Sequence, residues 1–340
     1  MAFQLEISES SLTALAEPRL RLFLSVDVVG STAFKHQAER TDAQGWLEFF
    51  TSFYSGFPNF LSTAHAETLH SKNHRPEHLA PALLWKALGD ELVFVAEITH
   101  RSQVELHLIA FKAAVSKAVT YHVYGEKPLP IHFKASAWLA GFPVGNAAIP
   151  TDGEKSPISF DFVGPAIDIG FRLGTLATPR RFVVSVELAY LILSCAGGGL
   201  KFHYEGKSPL RGVLNGRGYP HIWIDCYKEL GEKNRHPEHE VTDAEDDLLK
   251  RGPADEGHLR KFCKSYIDEI GSPLFAPFID ADPNEGLPKP IDFEKIRELV
   301  EVRLRDLFIV RSDEEASPMD AVELEEKVGQ IEERIDDLSW

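Results

Sequence analysis

The sequence has little sulfur and lacks the marks of secretion and membrane insertion. It contains two methionines and three cysteines, Cys195, Cys226 and Cys263, in 340 residues. The cysteines lie far apart without paired metal spacing, so we expect buried free thiols in a reducing compartment. No apolar run is long enough to cross a bilayer, and the opening MAFQLEISESSL lacks a basic segment followed by an apolar one. We therefore expect a cytoplasmic protein without a membrane partner.

The sequence also lacks a positive charge balance. Its formal net charge is −16, and residues 1–228 carry 21 basic and 21 acidic side chains. Residues 229–340 carry 15 basic and 31 acidic side chains, so the whole excess lies there. Because such a segment repels phosphate backbones and anionic lipids, we expect no nucleic-acid partner.

The apolar pattern predicts an α+β domain over residues 1–228. Short β-branched runs predict strands and 3–4 spacing predicts helices, in the order strand, helix, strand, strand, helix, strand, with further pieces after them. This order is typical of a ferredoxin-like layered arrangement, with helices on one face of a largely antiparallel sheet. A polar stretch over residues 67–81 predicts a loop, and Arg180 and Arg181 are expected at the surface.

Residues 229–340 predict an acidic, mainly helical extension. Two charged amphipathic helices follow Asp292 and Ser317, which are suitable N-caps, and Pro318 suits the first helical position. These helices have two alternative partners, the first domain or another copy of the chain.

Two aspartates stand at the ends of predicted strands. Asp27 interrupts the apolar run RLFLSVDVVGSTAF, and Asp90 lies in the turn of KALGDELVFV. Strands joined through a helix are often neighbours, so both carboxylates can meet at one edge of the sheet. Paired carboxylates suit Mg²⁺ or Mn²⁺. The alternative is that Asp27 caps a turn and Asp90 is an ordinary hairpin residue.

A Gly-Ser-Thr turn follows Asp27 directly. A glycine and two hydroxyls at a strand-to-helix turn place backbone N–H groups near a helix start, which suits phosphate oxygens. The P-loop pattern and the Rossmann glycine pattern are both missing, so the turn belongs to neither class of nucleotide site.

Three ordered motifs resemble the catalytic domain of class III nucleotide cyclases. FLSVDVVGST carries the first aspartate, KALGDELVFV the second, and FDFVGPAIDIGFRL the helix that ends in an arginine. The resemblance covers about residues 18–228, and three motifs in order are more specific than any one of them.

The resemblance implies a metal-binding and phosphate-binding group. Asp27 and Asp90 are implied to hold two Mg²⁺ or Mn²⁺ ions, with the backbone carbonyl of Val28 assisting. The turn Gly30-Ser31-Thr32 is implied to contact the triphosphate.

The resemblance also implies a base-reading and catalytic group. Lys86 and Asp161 match the pair that reads the base edge in adenylate cyclases, and Arg172 matches the arginine that stabilises the α-phosphate. Arg211 stands where the family usually has a lysine, and its planar guanidinium is not interchangeable with an ammonium.

Asp168 departs from the family pattern, which usually has asparagine there. An ionised carboxylate donates no hydrogen bond and repels phosphate. Either Asp168 is protonated, or it turns toward Arg172 or the ribose, or the match is displaced by one residue. Gly170 replaces the usual alanine, which is a milder change.

The implied reaction forms a 3′,5′-cyclic nucleotide and pyrophosphate from a nucleoside triphosphate. The ribose 3′-hydroxyl attacks the α-phosphorus while two metals acidify it and bind pyrophosphate. In this family the metal aspartates and the arginine come from opposite chains, so a homodimer with shared sites is expected.

The resemblance implies the base of the nucleotide substrate less directly. Lys86 and Asp161 suggest adenine, but an aromatic helix containing Phe50 can narrow the base pocket toward a pyrimidine, although such stripes are usually core. The compact chain with an acidic extension also resembles bacterial Pycsar cyclases, which make cyclic UMP or CMP against phage for a separate effector. The alternatives are an adenylate cyclase making cAMP and a degenerate nucleotide-binding regulator.

Overall fold

The computed structural model describes most of the chain. The described residues are 6–41, 45–72, 79–150, 160–194, 199–226, 237–272, 274–279 and 292–311. Contacts divide the chain into a larger unit, residues 18–290, and a smaller unit, residues 1–17 and 291–340. The domain boundary after residue 228 stays a prediction.

The described secondary structure comprises eleven strands and nine helices. The strands are β1 (Glu6–Ser8), β2 (Arg19–Val29), β3 (Leu83–Leu88), β4 (Glu91–Ile98), β5 (His132–Phe142), β6 (Ala147–Pro150), β7 (Phe160–Val163), β8 (Arg181–Val184), β9 (Phe202–Pro209), β10 (Gly218–Asp225) and β11 (Ile309–Arg311). The helices are α1 (Glu9–Ala16), α2 (Ser31–Thr41), α3 (Gly45–Ser71), α4 (Arg101–His122), α5 (Pro165–Leu173), α6 (Val186–Leu193), α7 (Pro237–Leu249), α8 (Glu256–Ile270) and α9 (Phe293–Leu307).

The larger unit contains a seven-stranded sheet in the order β3-β4-β2-β5-β8-β10-β9. Its first four strands keep the ferredoxin-like order, because β2 and β4 lie at the centre, antiparallel, with β3 and β5 outside them. Strand β8 joins β5 in parallel, and the rest of the sheet is antiparallel. The predicted α+β class and element order are therefore confirmed.

Helices α3 and α4 cover one face of the sheet. Phe94 of β4 lies opposite Leu24 of β2 and packs its ring against Phe57 of α3 and Phe111 of α4. All four side chains are almost fully buried. The loop predicted over residues 67–81 is wrong at its start, since α3 continues to Ser71 with its last turns buried against α4, and residues 73–78 lie outside the described residues.

The opposite face of the sheet carries α5, so the expectation that the helices lie on one face is wrong for this helix. Phe23 of β2 stacks on Trp138 of β5 at 5.4 Å between ring centroids, and Trp138 contacts Phe171 of α5 at 5.5 Å. A Cβ at Gly170 would lie 2.2 Å from the Trp138 ring. The glycine therefore lets α5 lie close to the sheet.

Replacing Gly170 by alanine should destabilise the protein. Alanine usually stabilises a helix interior over glycine by about 0.5–1 kcal/mol, but here Trp138 must move, and overpacking costs about 1–3 kcal/mol. We expect Gly170→Ala to lower the free energy of unfolding in urea titrations. Gly56→Ala in α3 is the matched control, because a Cβ there meets nothing within 4 Å. Equal stability changes in the two variants would contradict the close approach.

Part of the acidic segment belongs to the larger unit. Tyr266 of α8 donates a hydrogen bond to the carbonyl of Gly218, and Arg180 Nη2 lies 2.7 Å from Asp246 of α7. Arg180 also contacts Asp225 at 2.8 Å and is only 8% exposed, so its predicted surface position is wrong. Two carboxylates compensate its charge, which makes burial tolerable.

The smaller unit is built from both ends of the chain. Strands β1 and β11 pair in parallel, with Ile7 opposite Val310, and Arg305 of α9 binds both carboxylate oxygens of Glu9. Helix α9 begins after Asp292 as predicted, although its side chain makes no capping bond. The helix predicted after Ser317 lies outside the described residues.

Two sequence expectations concern cysteines and membranes. Cys226 and Cys263 are buried and free, as predicted, while Cys195 lies outside the described residues. In the described part of the chain, no helix combines the length and apolar character needed to cross a bilayer.

Candidate active site

The two aspartates meet at one end of the central strands. Asp27 lies near the end of β2, and Asp90 lies in the turn between β3 and β4. The Val28 N–H donates to the Asp90 carbonyl at 3.2 Å, so the turn is joined to β2 at this point. Burial is the main cause that raises the pKa of the Asp27 carboxyl, and the nearby charge of Asp90 raises it further.

The Gly-Ser-Thr turn lies beside this pair. Gly30 has φ of 84°, a conformation that favours glycine, and its carbonyl accepts the Phe34 N–H as α2 begins. The buried Ser31 hydroxyl donates to Asp90 Oδ2, while Thr32 is exposed. The turn therefore fixes the orientation of the Asp90 carboxylate and leaves a hydroxyl facing solvent.

Two charged residues that sequence reasoning missed lie in the same group. Lys134 of β5 and Glu91 of β4 stand opposite Asp27 on either side. Lys134 Nζ lies 2.9 Å from Asp27 Oδ2, and the Ser25 hydroxyl donates to Glu91 Oε1 at 2.5 Å. The alternation of polar and apolar residues at the start of β5 is visible in the sequence. The sequence does not reveal the strand register that places Lys134 opposite Asp27.

The group formed by Asp27, Asp90, Glu91 and Lys134, here the carboxylate group, carries a net charge of about −2 when ionised. Burial is again the main cause that raises the pKa of the Glu91 carboxyl, and Asp27 and Asp90 add to it. Half-buried carboxylates in excess over cations suit a hard divalent cation, which takes oxygen ligands. Among the described residues, no cluster of three or more His, Cys, Asp or Glu side chains forms a ready metal cage.

The structure does not bring Phe50 to a base pocket. Phe50 is 6% exposed, with Trp46, Phe49 and Tyr54 around its ring and Lys35 Nζ 4.8 Å from the ring centre. In the described contacts, neither Lys86 nor Asp161 touches it. Phe50 thus belongs to the aromatic packing of α3, the alternative raised from the sequence.

The predicted base-reading pair is assembled. Lys86 Nζ of β3 lies 2.6 Å from Asp161 Oδ1 of β7, and both side chains are about one-third exposed. Trp85 lies beneath them, with Lys86 Nζ 4.7 Å from its ring centre and its indole N–H donating to the Phe160 carbonyl at 3.2 Å. A charged pair above a fixed aromatic ring is thus open to solvent.

The remaining catalytic candidates form a second group around α5. Arg172 donates to the Arg211 carbonyl from Nε at 2.5 Å and to the Asp168 carbonyl from Nη1 at 2.7 Å. The Asp168 carboxylate lies 3.8 Å from Arg172 Nη1, so it turns toward the guanidinium. Arg211 is exposed in the connection between β9 and β10. The orientation of the Asp168 carboxylate toward Arg172 matches one of the alternatives raised from the sequence, that Asp168 turns toward this arginine.

Asn146 holds the start of α5 and was not singled out from the sequence. Its Oδ1 accepts the Ala166 N–H at 3.0 Å, and its Nδ2 donates to the Gly141 carbonyl at 2.9 Å. Gly164 precedes the helix with φ of 141°, and a Cβ there would lie 2.5 Å from Asn146 Oδ1. The helix that carries Arg172 is therefore anchored to the end of β5.

The two groups are not joined within one chain. Among the described residues, no hydrogen bond or ion pair links Arg172 or Asp168 to Asp27 or Asp90. Within the described part of one chain, Arg172 with Asp168 and Asp27 with Asp90 thus form separate sets of candidate side chains.

Comparisons with known proteins give fold-level likeness only. No protein-family model and no curated protein matches the sequence. Similar solved structures include the adenylyl cyclase CyaB from P. aeruginosa, with 11% identity over 61% of this chain and 94% of that chain, and a TM-score of 0.42. The guanylyl cyclase Cya2 has 13% identity over 62% and 92%, and a TM-score of 0.40. The guanylate cyclase domain of RhGC from Catenaria anguillulae has 12% identity over 62% and 97%, and a TM-score of 0.41. Similarity this low carries no argument about activity.

Proposed function

We propose that the protein is a nucleotide cyclase that converts a nucleoside triphosphate to a 3′,5′-cyclic nucleotide and pyrophosphate. The observation that carries this proposal is the convergence of Asp27 and Asp90 beside the turn Gly30-Ser31-Thr32. Residues distant in sequence meet there with excess negative charge next to a phosphate-suited turn.

Asp27 and Asp90 fit Mg²⁺ or Mn²⁺. Their carboxylates, with the Val28 carbonyl, would hold the two ions, and Ser31 keeps Asp90 oriented. Bound divalent ions supply charge that lowers the pKa of a ribose 3′-hydroxyl and neutralises a pyrophosphate leaving group.

Arg172 is the residue proposed to stabilise charge that develops on the α-phosphate. Its side chain is 35% exposed, and its orientation is fixed by the carbonyls of Asp168 and Arg211. A guanidinium positioned in advance stabilises a transition state without reorganisation. Arg211 adds a second positive charge, and the Asp168 carboxylate serves as a partner of Arg172.

The functional assembly is proposed to be a homodimer with shared sites. Among the described residues, no hydrogen bond or ion pair joins the carboxylate group to Arg172 within one chain, and the proposed isologous dimer would place the carboxylate group of one copy against Arg172 of the other. Exposed apolar side chains at Leu83, Leu88, Ile149 and Val163 are suited to burial between copies.

The substrate is proposed to be UTP or CTP, and the product a messenger in anti-phage defence read by a separate effector. The support for a pyrimidine is the resemblance of the compact chain with its acidic extension to the Pycsar cyclases. The solvent-open pair of Lys86 and Asp161 beside Trp85 offers one donor and one acceptor to a base edge. The same pair suits adenine, so a cAMP-forming enzyme is the second candidate.

One experiment tests the activity and the base together. Purified protein is incubated with Mn²⁺ and each of the four ribonucleoside triphosphates separately, and products are identified by mass spectrometry. We expect a cyclic pyrimidine nucleotide and pyrophosphate, and no product from Asp27→Asn. Nucleotide binding without any cyclic product would favour a regulator instead.

A further inference from the structure

Lys134 contacts one carboxylate oxygen of Asp27 through its ammonium group. It stands directly opposite Asp27 in the antiparallel pairing of β5 with β2, and its Nζ lies 2.9 Å from Asp27 Oδ2. The two side chains are 24% and 27% exposed, so the pair is largely shielded from water. Strand register keeps Lys134 opposite Asp27, while the flexible four-carbon side chain allows its ammonium to move away from the carboxylate.

Asp27 is distinguished from its acidic neighbours by this contact. Asp90 accepts from the Ser31 hydroxyl and Glu91 from the Ser25 hydroxyl, which are neutral donors. Lys86, a lysine of the neighbouring strand β3, is bound to Asp161. In the described part of the chain, Lys134 is therefore the cation bound within the carboxylate group.

An ammonium on a metal-binding carboxylate opposes metal entry in two ways. It occupies a carboxylate oxygen that a divalent ion would need as a ligand, and it would repel that ion at short range. It also compensates a buried negative charge while no metal is bound, which stabilises the fold.

We propose that Lys134 competes with divalent metal for Asp27, so that metal binds the free protein only by displacing this ammonium. The inference rests on the proposed function, because it takes Asp27 as a metal ligand. Lys134 is here a positioning residue that acts through Asp27.

The proposed competition predicts that one substitution raises the affinity for metal and lowers the thermal stability of the metal-free protein. Lys134→Met removes the competing charge, so we expect Mn²⁺ to bind about tenfold more tightly or better, in the absence of nucleotide. The same variant leaves Asp27 unpaired, so its Tm in EDTA should fall. Because a ligand stabilises the folded state according to its affinity, Mn²⁺ should raise the Tm of Lys134→Met more than that of the wild-type protein.

The test measures Mn²⁺ affinity by electron paramagnetic resonance, and Tm with EDTA or Mn²⁺, on the full chain. Lys117→Met is the matched control, because Lys117 Nζ lies 2.8 Å from Glu67 on the helical side of the sheet. It loses the same charge and an ion pair away from the site, so Mn²⁺ affinity should not change. Lys134→Gln, which keeps a neutral donor, replaces Lys134→Met if that variant does not fold.

The outcomes separate this inference from the proposed function. If the Lys134 variants bind Mn²⁺ as the wild type does, or more weakly, the competition is wrong while the metal site stands. If neither wild type nor Lys134 variants bind Mn²⁺, or Asp27→Asn binds it equally well, both are overturned.

Discussion

Mixing two inactive variants should restore activity. Asp27→Ala removes a metal ligand and Arg172→Ala removes the guanidinium, and we expect each alone to lose at least about a hundredfold in turnover. In a shared-site dimer, a mixed pair of chains has one site with both residues intact. Random exchange in an equal mixture makes half of the dimers mixed, so about a quarter of the sites recover. Rates of pyrophosphate release measure the recovery.

The control for complementation is a mixture of Asp27→Ala with Asp90→Ala. Both changes lie in the carboxylate group, so no mixed dimer has an intact site and activity should stay at background. Failure of the first mixture, with dimers confirmed by light scattering, would contradict sharing. Recovery of activity in the control mixture would contradict the assignment of Asp27 and Asp90 to the same half of the shared site.

Replacing Arg180 by methionine should cause the largest loss of stability. Arg180 donates to Asp225 from Nε at 3.0 Å and from Nη2 at 2.8 Å, and Asp225 is 5% exposed. The substitution removes the buried guanidinium that both Asp225 and Asp246 contact, and breaking a buried ion pair from one side costs about 3–5 kcal/mol. We expect a corresponding fall in the free energy of unfolding, measured by urea titration.

Lys201→Met provides the comparison for this prediction. Lys201 Nζ lies 2.6 Å from Glu256, but both side chains are more than half exposed, so the pair contributes at most about 1 kcal/mol. A loss for Arg180→Met no larger than that of Lys201→Met would show that α7 and β10 do not depend on this arginine.

The sequence predicted the elements of the larger unit because its apolar periodicity is strong. The β-branched run around Asp27 and the 3–4 spacing of α4 gave the correct types and order. Strand β9 was missed because Phe202–Pro209 alternates weakly and contains Gly206. The burial of Arg180 was missed because its acidic partner Asp246 lies far along the chain.

The prediction of the site was limited in the same way, by contacts between residues that lie far apart in the sequence. Asp27, Asp90, Lys86 and Asp161 were found because they stand in local motifs, and the structure brings them together in two pairs. Lys134 was missed because a lone lysine in a strand gains meaning only from register. Phe50 was placed in the base pocket from an aromatic stripe, and such stripes pack in cores as readily as they contact ligands.

The pairing of β1 with β11 constrains when the protein can finish folding. Ile7 of β1 cannot pair until Val310 of β11 has been synthesised, because about 300 residues separate the two strands in the sequence. During synthesis the intervening sheet can form first, and closure over so long a loop is entropically slow unless that sheet shortens it. The smaller unit therefore completes only after residues 309–311 are made, and a chain stalled on the ribosome before them should contain β1 without its partner strand.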